Sequence, residues 1–552
     1  MNERQARRAA LLGVGLWLLL HLVWIFRTEV NWDEFALLAR AHDSLVEGRL
    51  IAGGRPGLAT LLLLPIVDGC RDAVSAALTA RLVWTAFVAA ILLGLWGFLG
   101  GLFRSRSTRW RDSLWGVSLI ALTPAFLHYS LQVRSDQPAI AFGLLGGMAL
   151  LASRERIPLA ALAGVLFGLG FASSQKLVYV AGLVGVLAIA ESLVADRFRW
   201  RRDVGRVVLV IAGGIATLLA FRAGVSLFMQ PAPPTNVGGQ LDWFAFYREH
   251  VGYGYYLLML PGLIVPVGLA ALVLWLSPIM LWRRRTHRAD AGMVLAVLGA
   301  GLVVAAFHAG ALPYFWMTLG LFPAVAAAIG MPLLRASLGR TKRVVVLVAA
   351  GILLGTAVNA GLQEARRTND VQKQTMALVR DNFPASATGF STKQALFCQD
   401  GPTPFPAYFG PTLHDWTPER IDDFMAEFRE RKVAFMVASR DMEVFPERIQ
   451  DFWAEHYVPY AGALMVAGIE VAAGSAPSIS FDVVVPGDYR LHADDTSAAV
   501  LLDGAPFAAG DVRRLGAGEH AIVPGAVRGS VLLTLDLPAP PGPTTDRFWS
   551  GH

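Results

Sequence analysis

Charge is what this 552-residue chain has least of. Only 16% of its residues are Asp, Glu, Lys or Arg, while 55% are hydrophobic. That balance excludes an ordinary soluble protein of this length. Cysteine is scarcer still, with only Cys70 and Cys398. They cannot make a disulfide framework; a single bridge between them is open but nothing in the sequence supports it, and Cys398 reads most simply as a buried or isolated thiol. No GxxxxGK[ST] loop and no nucleotide-binding βαβ pattern occurs, so a nucleotide-driven reaction lacks its usual parts. The C-terminal third has no basic stripe. Residues 1–360 carry 32 basic and 17 acidic side chains, whereas residues 361–552 carry 16 and 25. A basic apolar part joined to an acidic polar part excludes nucleic acid as the partner.

What the chain has in plenty is long apolar runs. A bilayer crossing needs about 20 such residues, with a range of about 17–25. The runs predict spans near 10–27, 75–101, 113–130, 137–152, 157–174, 177–195, 205–228, 254–281, 290–308, 311–331 and 343–360. Segment 57–69 is too short to cross and reads as an interfacial or re-entrant helix. Arg4, Arg7 and Arg8 precede the first run without a clear small-residue cleavage site, so the run reads as an anchor and not as a signal peptide. Arginines cluster in alternate loops: 104–111, 154–156, 197–202, 283–288 and 335–343. The positive-inside rule then places the N-terminus in the cytoplasm. Eleven spans put everything after residue 360 outside a cytoplasmic (inner) membrane.

The later residues change character. Helical patterns at 418–431 and 446–457 flank a strand-like run at 433–437, which predicts a small external α/β domain over 361–470. Thr417-Pro418-Glu419 has the form of an N-cap followed by proline at the first helical position. Alternating runs between Gly and Asp turns predict a small β-sandwich over 471–540. Residues 541–552 read as a loose tail. Tyr408, Phe409, Trp416, Trp453 and Tyr457 suit either a domain core or a sugar-stacking face, with the core favoured. The proline-rich and aromatic loop 229–252 reads as an interfacial helix, with a lid as the alternative.

On the external face, carboxylates and cations come from separate loops. Asp33 and Glu34 follow the first span. Adjacent residues do not share a helical face, so one is expected to face a cavity and the other to hold structure or contact a cation. Arg134 and Asp136 sit in a short hairpin, and charges at bilayer depth need partners or a ligand. Arg55, Arg134, Lys176 and His308 are the candidates for a lipid phosphate, because Arg clamps phosphate oxygens in bidentate fashion.

Asn31-Trp32-Asp33-Glu34, followed by Gly48 and Arg55-Pro56, resembles the first external loop of polyprenyl-phosphate-sugar-dependent membrane glycosyltransferases. Arg134-Ser135-Asp136-Gln137-Pro138 resembles their second acidic loop. These enzymes form the protein mannosyltransferase and aminoarabinose transferase superfamily, of fold type C. The resemblance spans about residues 10–340 and omits the C-terminal extension. It implies a polytopic α-helical membrane protein of about eleven spans. It also implies sugar transfer from a polyprenyl-phosphate donor to an envelope glycan, lipid or protein. Asp33 would be the general base, with Asp136 a second catalytic carboxylate and inversion at the anomeric carbon. The resemblance names no certain cofactor, with a divalent metal ion as the one candidate. A divalent metal is used or bound by some members; Glu34, Asp136 and His308 would be candidate ligands here, Glu34 first, though no spacing demonstrates a site. The competing readings are a transporter or flippase for a lipid-linked sugar, and a non-catalytic receptor with an external glycan-binding domain. No two-half repeat of the transporter kind is visible.

Overall fold

A computed structural model describes residues 3–51, 56–104, 108–194, 200–230, 288–307, 315–337, 342–398, 416–472, 478–493, 498–524, 530–537 and 547–548, with residues 106, 268, 269, 403–406 and 408. The expected span 254–281 apart from residues 268 and 269, the loop 229–252 beyond Gln230, Arg55, His308 and Phe409 lie outside the described residues. The chain forms two compact units. One comprises residues 1–28, 48–65 and 78–367; the other comprises 29–47, 66–77 and 368–552.

The first unit is helical. Apolar runs become α1 (Glu3–Ile25), most of α4 (Ala73–Leu102), α7 (Asp136–Ala152), α8 (Pro158–Ser173), α9 (Leu177–Val194) and α10 (Trp200–Phe228). Helices Arg288–Phe307, Leu321–Ser337 and Lys342–Arg366 follow. Among the described residues, four helices are long and apolar enough to cross a membrane, and six shorter apolar helices accompany them. This is a polytopic membrane protein. The expected span 113–130 is corrected. It is split into α5 (Arg109–Ala121) and α6 (Pro124–Ser130), because Thr123 caps α6 and Pro124 cannot continue α5. The expected span 311–331 likewise contains a separate turn of helix at Trp316–Leu319. Segment 57–69 forms α3 (Leu58–Val67), ten residues and too short to cross.

Small residues set the tightest packing. A Cβ on Gly164 of α8 would meet the Val210 carbonyl oxygen of α10 at 2.2 Å, and one on Gly213 would meet the Ala161 oxygen at 2.6 Å. Only glycine permits this backbone approach, the usual device of membrane helix pairs. On α4, the buried Arg81 guanidinium donates to the carbonyls of Ile25 (3.1 Å) and Thr28 (2.9 Å) and to the Thr28 hydroxyl (3.0 Å). It satisfies the carbonyls left open at the end of α1.

The second unit mixes helices and two sheets. It includes α2 (Trp32–Glu47) and helices Asp370–Asn382, Pro418–Glu430 and Glu447–His456. The larger sheet runs β1 (Gly389–Phe390), β2 (Phe435–Val437), β4 (Leu464–Ala472), β11 (Ser530–Leu535), β6 (Gly487–Ala493), β9 (Val512–Leu515), and β3 (Tyr457–Ala461) also pairs with β4. A four-stranded sheet runs β5 (Ile479–Val483), β10 (Gly518–Val523), β7 (Ala499–Leu502), β8 (Ala505–Ala508). The boundary expected near residue 470 falls inside β4, which pairs with β2 on one side and β11 on the other. The two expected C-terminal parts therefore share one sheet. Tyr408, Trp453 and Tyr457 are buried beside Phe390, Phe424 and Phe428, as core residues should be.

Residues 29–47 join this unit through long-range pairs. Gln372 receives the Val30 N–H (2.7 Å) and donates to the Val30 oxygen (3.0 Å). Asp43 accepts from the Thr403 backbone and hydroxyl, both at 2.8 Å. Cys70 and Cys398 form a disulfide across 328 residues. This corrects the reading of Cys398 as an isolated thiol; the separation left no local pattern to pair them by.

Candidate active site

In the second unit, the site begins at the N-terminus of α2. The Asn31 side chain accepts from the Asp33 backbone N–H (2.9 Å), and Glu34 reaches back to the Asn31 N–H (2.8 Å). This reciprocal arrangement is a capping box. It gives the two acids different tasks. Glu34 is fully buried and holds the helix start, while Asp33 keeps partial exposure.

Behind this turn lies a residue that sequence reasoning missed. The Lys393 ammonium is 3.1 Å from Asp441 Oδ2 and 5.1 Å above the Trp32 ring, and it donates to the Tyr408 carbonyl. Burial pushes its basicity down, and the charges of Asp441 and Asp33 oppose that shift. Nothing local in Ser391-Thr392-Lys393 marks it, because its partners come from remote segments.

The first unit holds Arg134, Asp136 and Lys176. Asp136 opens α7 and is 4% exposed. Its carboxylate takes the Lys176 ammonium at 2.9 Å and the Ser174 hydroxyl at 3.1 Å. Arg134 is fixed at both ends. Trp84 donates to its carbonyl (2.8 Å), and Gln137 accepts from its N–H (2.9 Å). Its guanidinium donates to Gln132 Oε1 (2.7 Å) and lies 5.6 Å from the Tyr129 ring centroid. Gln137 further donates to the Tyr129 and Gln132 carbonyls, so it pins the turn into shape. Trp84, Gln132 and Gln137 were not singled out from sequence. Gln137 was the most legible of them, sitting inside the Arg-Ser-Asp-Gln-Pro motif.

Glu34 already serves the cap of α2, and among the described residues no group of three His, Cys, Asp or Glu side chains converges on one point.

The helical scaffold with these loops has the type C glycosyltransferase fold. The similarity is to ArnT from Cupriavidus metallidurans bound to undecaprenyl phosphate, with a TM-score of 0.52 and 14% identity over 83% of this chain and 97% of that one. AglB, an oligosaccharyltransferase from Archaeoglobus fulgidus in complex with an inhibitory peptide and a dolichol-phosphate, gives a TM-score of 0.47 and 11% identity over 84% and 74%. The arabinosyltransferase EmbB from Mycobacterium smegmatis gives 0.37 and 11% over 95% and 64%. The likeness to ArnT establishes the fold alone. No protein-family model matches the chain, and a search of curated proteins gives no match.

Proposed function

We propose that the chain transfers a sugar from a polyprenyl-phosphate donor to a hydroxyl or amine of an envelope glycan, lipid or protein, at the external face of the cytoplasmic membrane. The observation that carries this reading is Asp33, partly exposed in the first turn of a capped helix, in a chain with the fold of ArnT. The disulfide supports the external placement of the second unit, since such bonds persist in oxidising compartments.

In this reading Asp33 removes the proton of the acceptor O–H or N–H as the acceptor attacks the anomeric carbon. The new bond forms on the face opposite the departing oxygen, so the configuration inverts. The bond between the anomeric carbon and the phosphate oxygen breaks, and its electron pair leaves on polyprenyl phosphate. That leaving group is a stable anion, so no general acid is needed, unlike glycoside hydrolysis with its two carboxyls. Arg134 binds the phosphate and stabilises the charge that grows on it. Asp136 holds the Lys176 ammonium in place as a second cation. Arg55 and His308 keep their proposed phosphate-binding roles, and no step runs through a metal.

The test is transfer of labelled sugar from extracted lipid donors by purified protein. Wild type should form product that Asp33→Asn does not, with both proteins folded alike. Product from the D33N protein at the wild-type rate removes the base assignment.

A further inference from the structure

The proposed phosphate ligand Arg134 sits at one end of a hydrogen-bonded chain whose polarity can be worked out atom by atom. An Arg guanidinium only donates. The amide atom of Gln132 that faces it at 2.7 Å is therefore the oxygen, which leaves the Gln132 amide nitrogen facing His128 Nε2 at 3.0 Å. That nitrogen donates, so His128 Nε2 must be the unprotonated acceptor. The imidazole proton then resides on Nδ1, 2.7 Å from Glu364 Oε1. Glu364 is buried, and Arg367 Nη1 lies 3.3 Å from the same oxygen and 3.4 Å from His128 Nδ1; the much shorter 2.7 Å approach of Nδ1 to the carboxylate needs a proton between them and decides the tautomer. Every link points one way, from Arg134 through Gln132 and His128 to the Glu364 carboxylate. Chains of aligned donors polarise and rigidify one another, and the bond made by one ring nitrogen of a histidine sets the role of the other.

We infer that His128, Gln132 and Glu364 are positioning residues that aim Arg134 at the phosphate of a polyprenyl-phosphate ligand, with Glu364 fixing the His128 tautomer on which the Gln132 orientation depends. The inference rests on the proposed role of Arg134 and adds the three side chains that orient it. The chain joins Glu364, near the end of helix Lys342–Arg366, to a loop 230 or so residues earlier; the His128–Glu364 separation is 236 residues.

The chemistry makes an unequal set of variants. Gln132→Leu removes both links, and His128→Phe removes the acceptor while keeping a ring. Gln132→Glu keeps an oxygen for Arg134 and accepts from a doubly protonated His128. Glu364→Gln keeps an acceptor for Nδ1–H, whereas Glu364→Leu does not. The measurement is the dissociation constant of undecaprenyl phosphate with the full-length purified protein in lipid nanodiscs, each variant checked for wild-type thermal unfolding. Expected are about tenfold weaker binding for H128F, Q132L and E364L, and binding within about threefold of wild type for Q132E and E364Q, the tenfold being the loss of about one oriented hydrogen bond. A general packing defect would not discriminate Q132E from Q132L. The inference is overturned if H128F and Q132L bind as wild type while Arg134→Met is weakened, or if Q132E falls as far as Q132L. Wild-type binding by R134M would instead remove the phosphate role of Arg134 itself.

Discussion

Replacing Lys176 by methionine strands Asp136 where water scarcely reaches it. The carboxylate lies in a residue 4% exposed, with the ammonium at 2.9 Å. At that separation, and an effective dielectric of about 20, the gross attraction is about 6 kcal/mol. Desolvation of both ions offsets much of it. Removing one partner of a buried pair costs about 3–5 kcal/mol. The Lys176 side chain keeps 22% exposure, and this solvent access lowers the expected loss to about 2–3 kcal/mol. The Ser174 hydroxyl remains to solvate Asp136. Adding Asp136→Asn removes the stranded charge, so the double variant should lie within about 1 kcal/mol of wild type. The assay is a double-mutant cycle of denaturant-induced unfolding in mixed micelles. A K176M protein as stable as wild type, or additivity within about 0.5 kcal/mol, would refute the structural role of the pair.

Other outcomes follow from particular contacts. Protein taken from the membrane under non-reducing conditions should offer no thiol to a maleimide, and Cys398→Ser should expose Cys70 to labelling; ready labelling of the wild type contradicts the bridge. Gly164→Val should cost about 1–3 kcal/mol or more and cut folded yield, since its Cβ would overlap the Val210 oxygen; a wild-type yield and melt would deny the close α8–α10 approach. In the second unit, burial lowers the basicity of His520, but its bonds to Asp503 and the Gly516 carbonyl prevail and raise it above the ordinary 6.5. The stabilisation from a raised histidine is fully present below 6.5 and fades as pH rises through its folded value. His520→Asn should therefore lower the melting temperature at pH 5.5 more than at pH 8.5, and the reverse order would contradict the pairing.

The apolar helices were legible because their signal is length and composition. The run 75–101 and the helix Ala73–Leu102 nearly coincide, as do 177–195 and Leu177–Val194. The break at Thr123-Pro124 carried its own mark, a capping residue before proline, which the apolar run concealed. In the second unit the Thr417-Pro418 start was readable for the same reason. Of the acids after α1, adjacency alone said only that the two would differ; that Glu34 accepts the Asn31 N–H is set by the cap of α2. Long-range pairing was not legible. Val30 meets Gln372 across 342 residues, and no periodicity announces that a segment near the first span folds with the C-terminal sheets. The same holds for Lys393 beside Trp32, for Arg81 at the end of α1, and for Glu364 beside His128. Each is a charged residue whose type fits many surroundings and whose partner is fixed only by the fold.

The most direct test of the account is a single-turnover measurement with Asp33→Asn. The variant keeps the backbone N–H that Asn31 caps, so α2 should start as before. Bound donor should remain intact in the D33N protein, with sugar transfer slowed by about 100-fold or more, the scale of a lost general base, while undecaprenyl phosphate binds as in wild type. Transfer at the wild-type rate by a folded D33N protein would contradict the account at its centre.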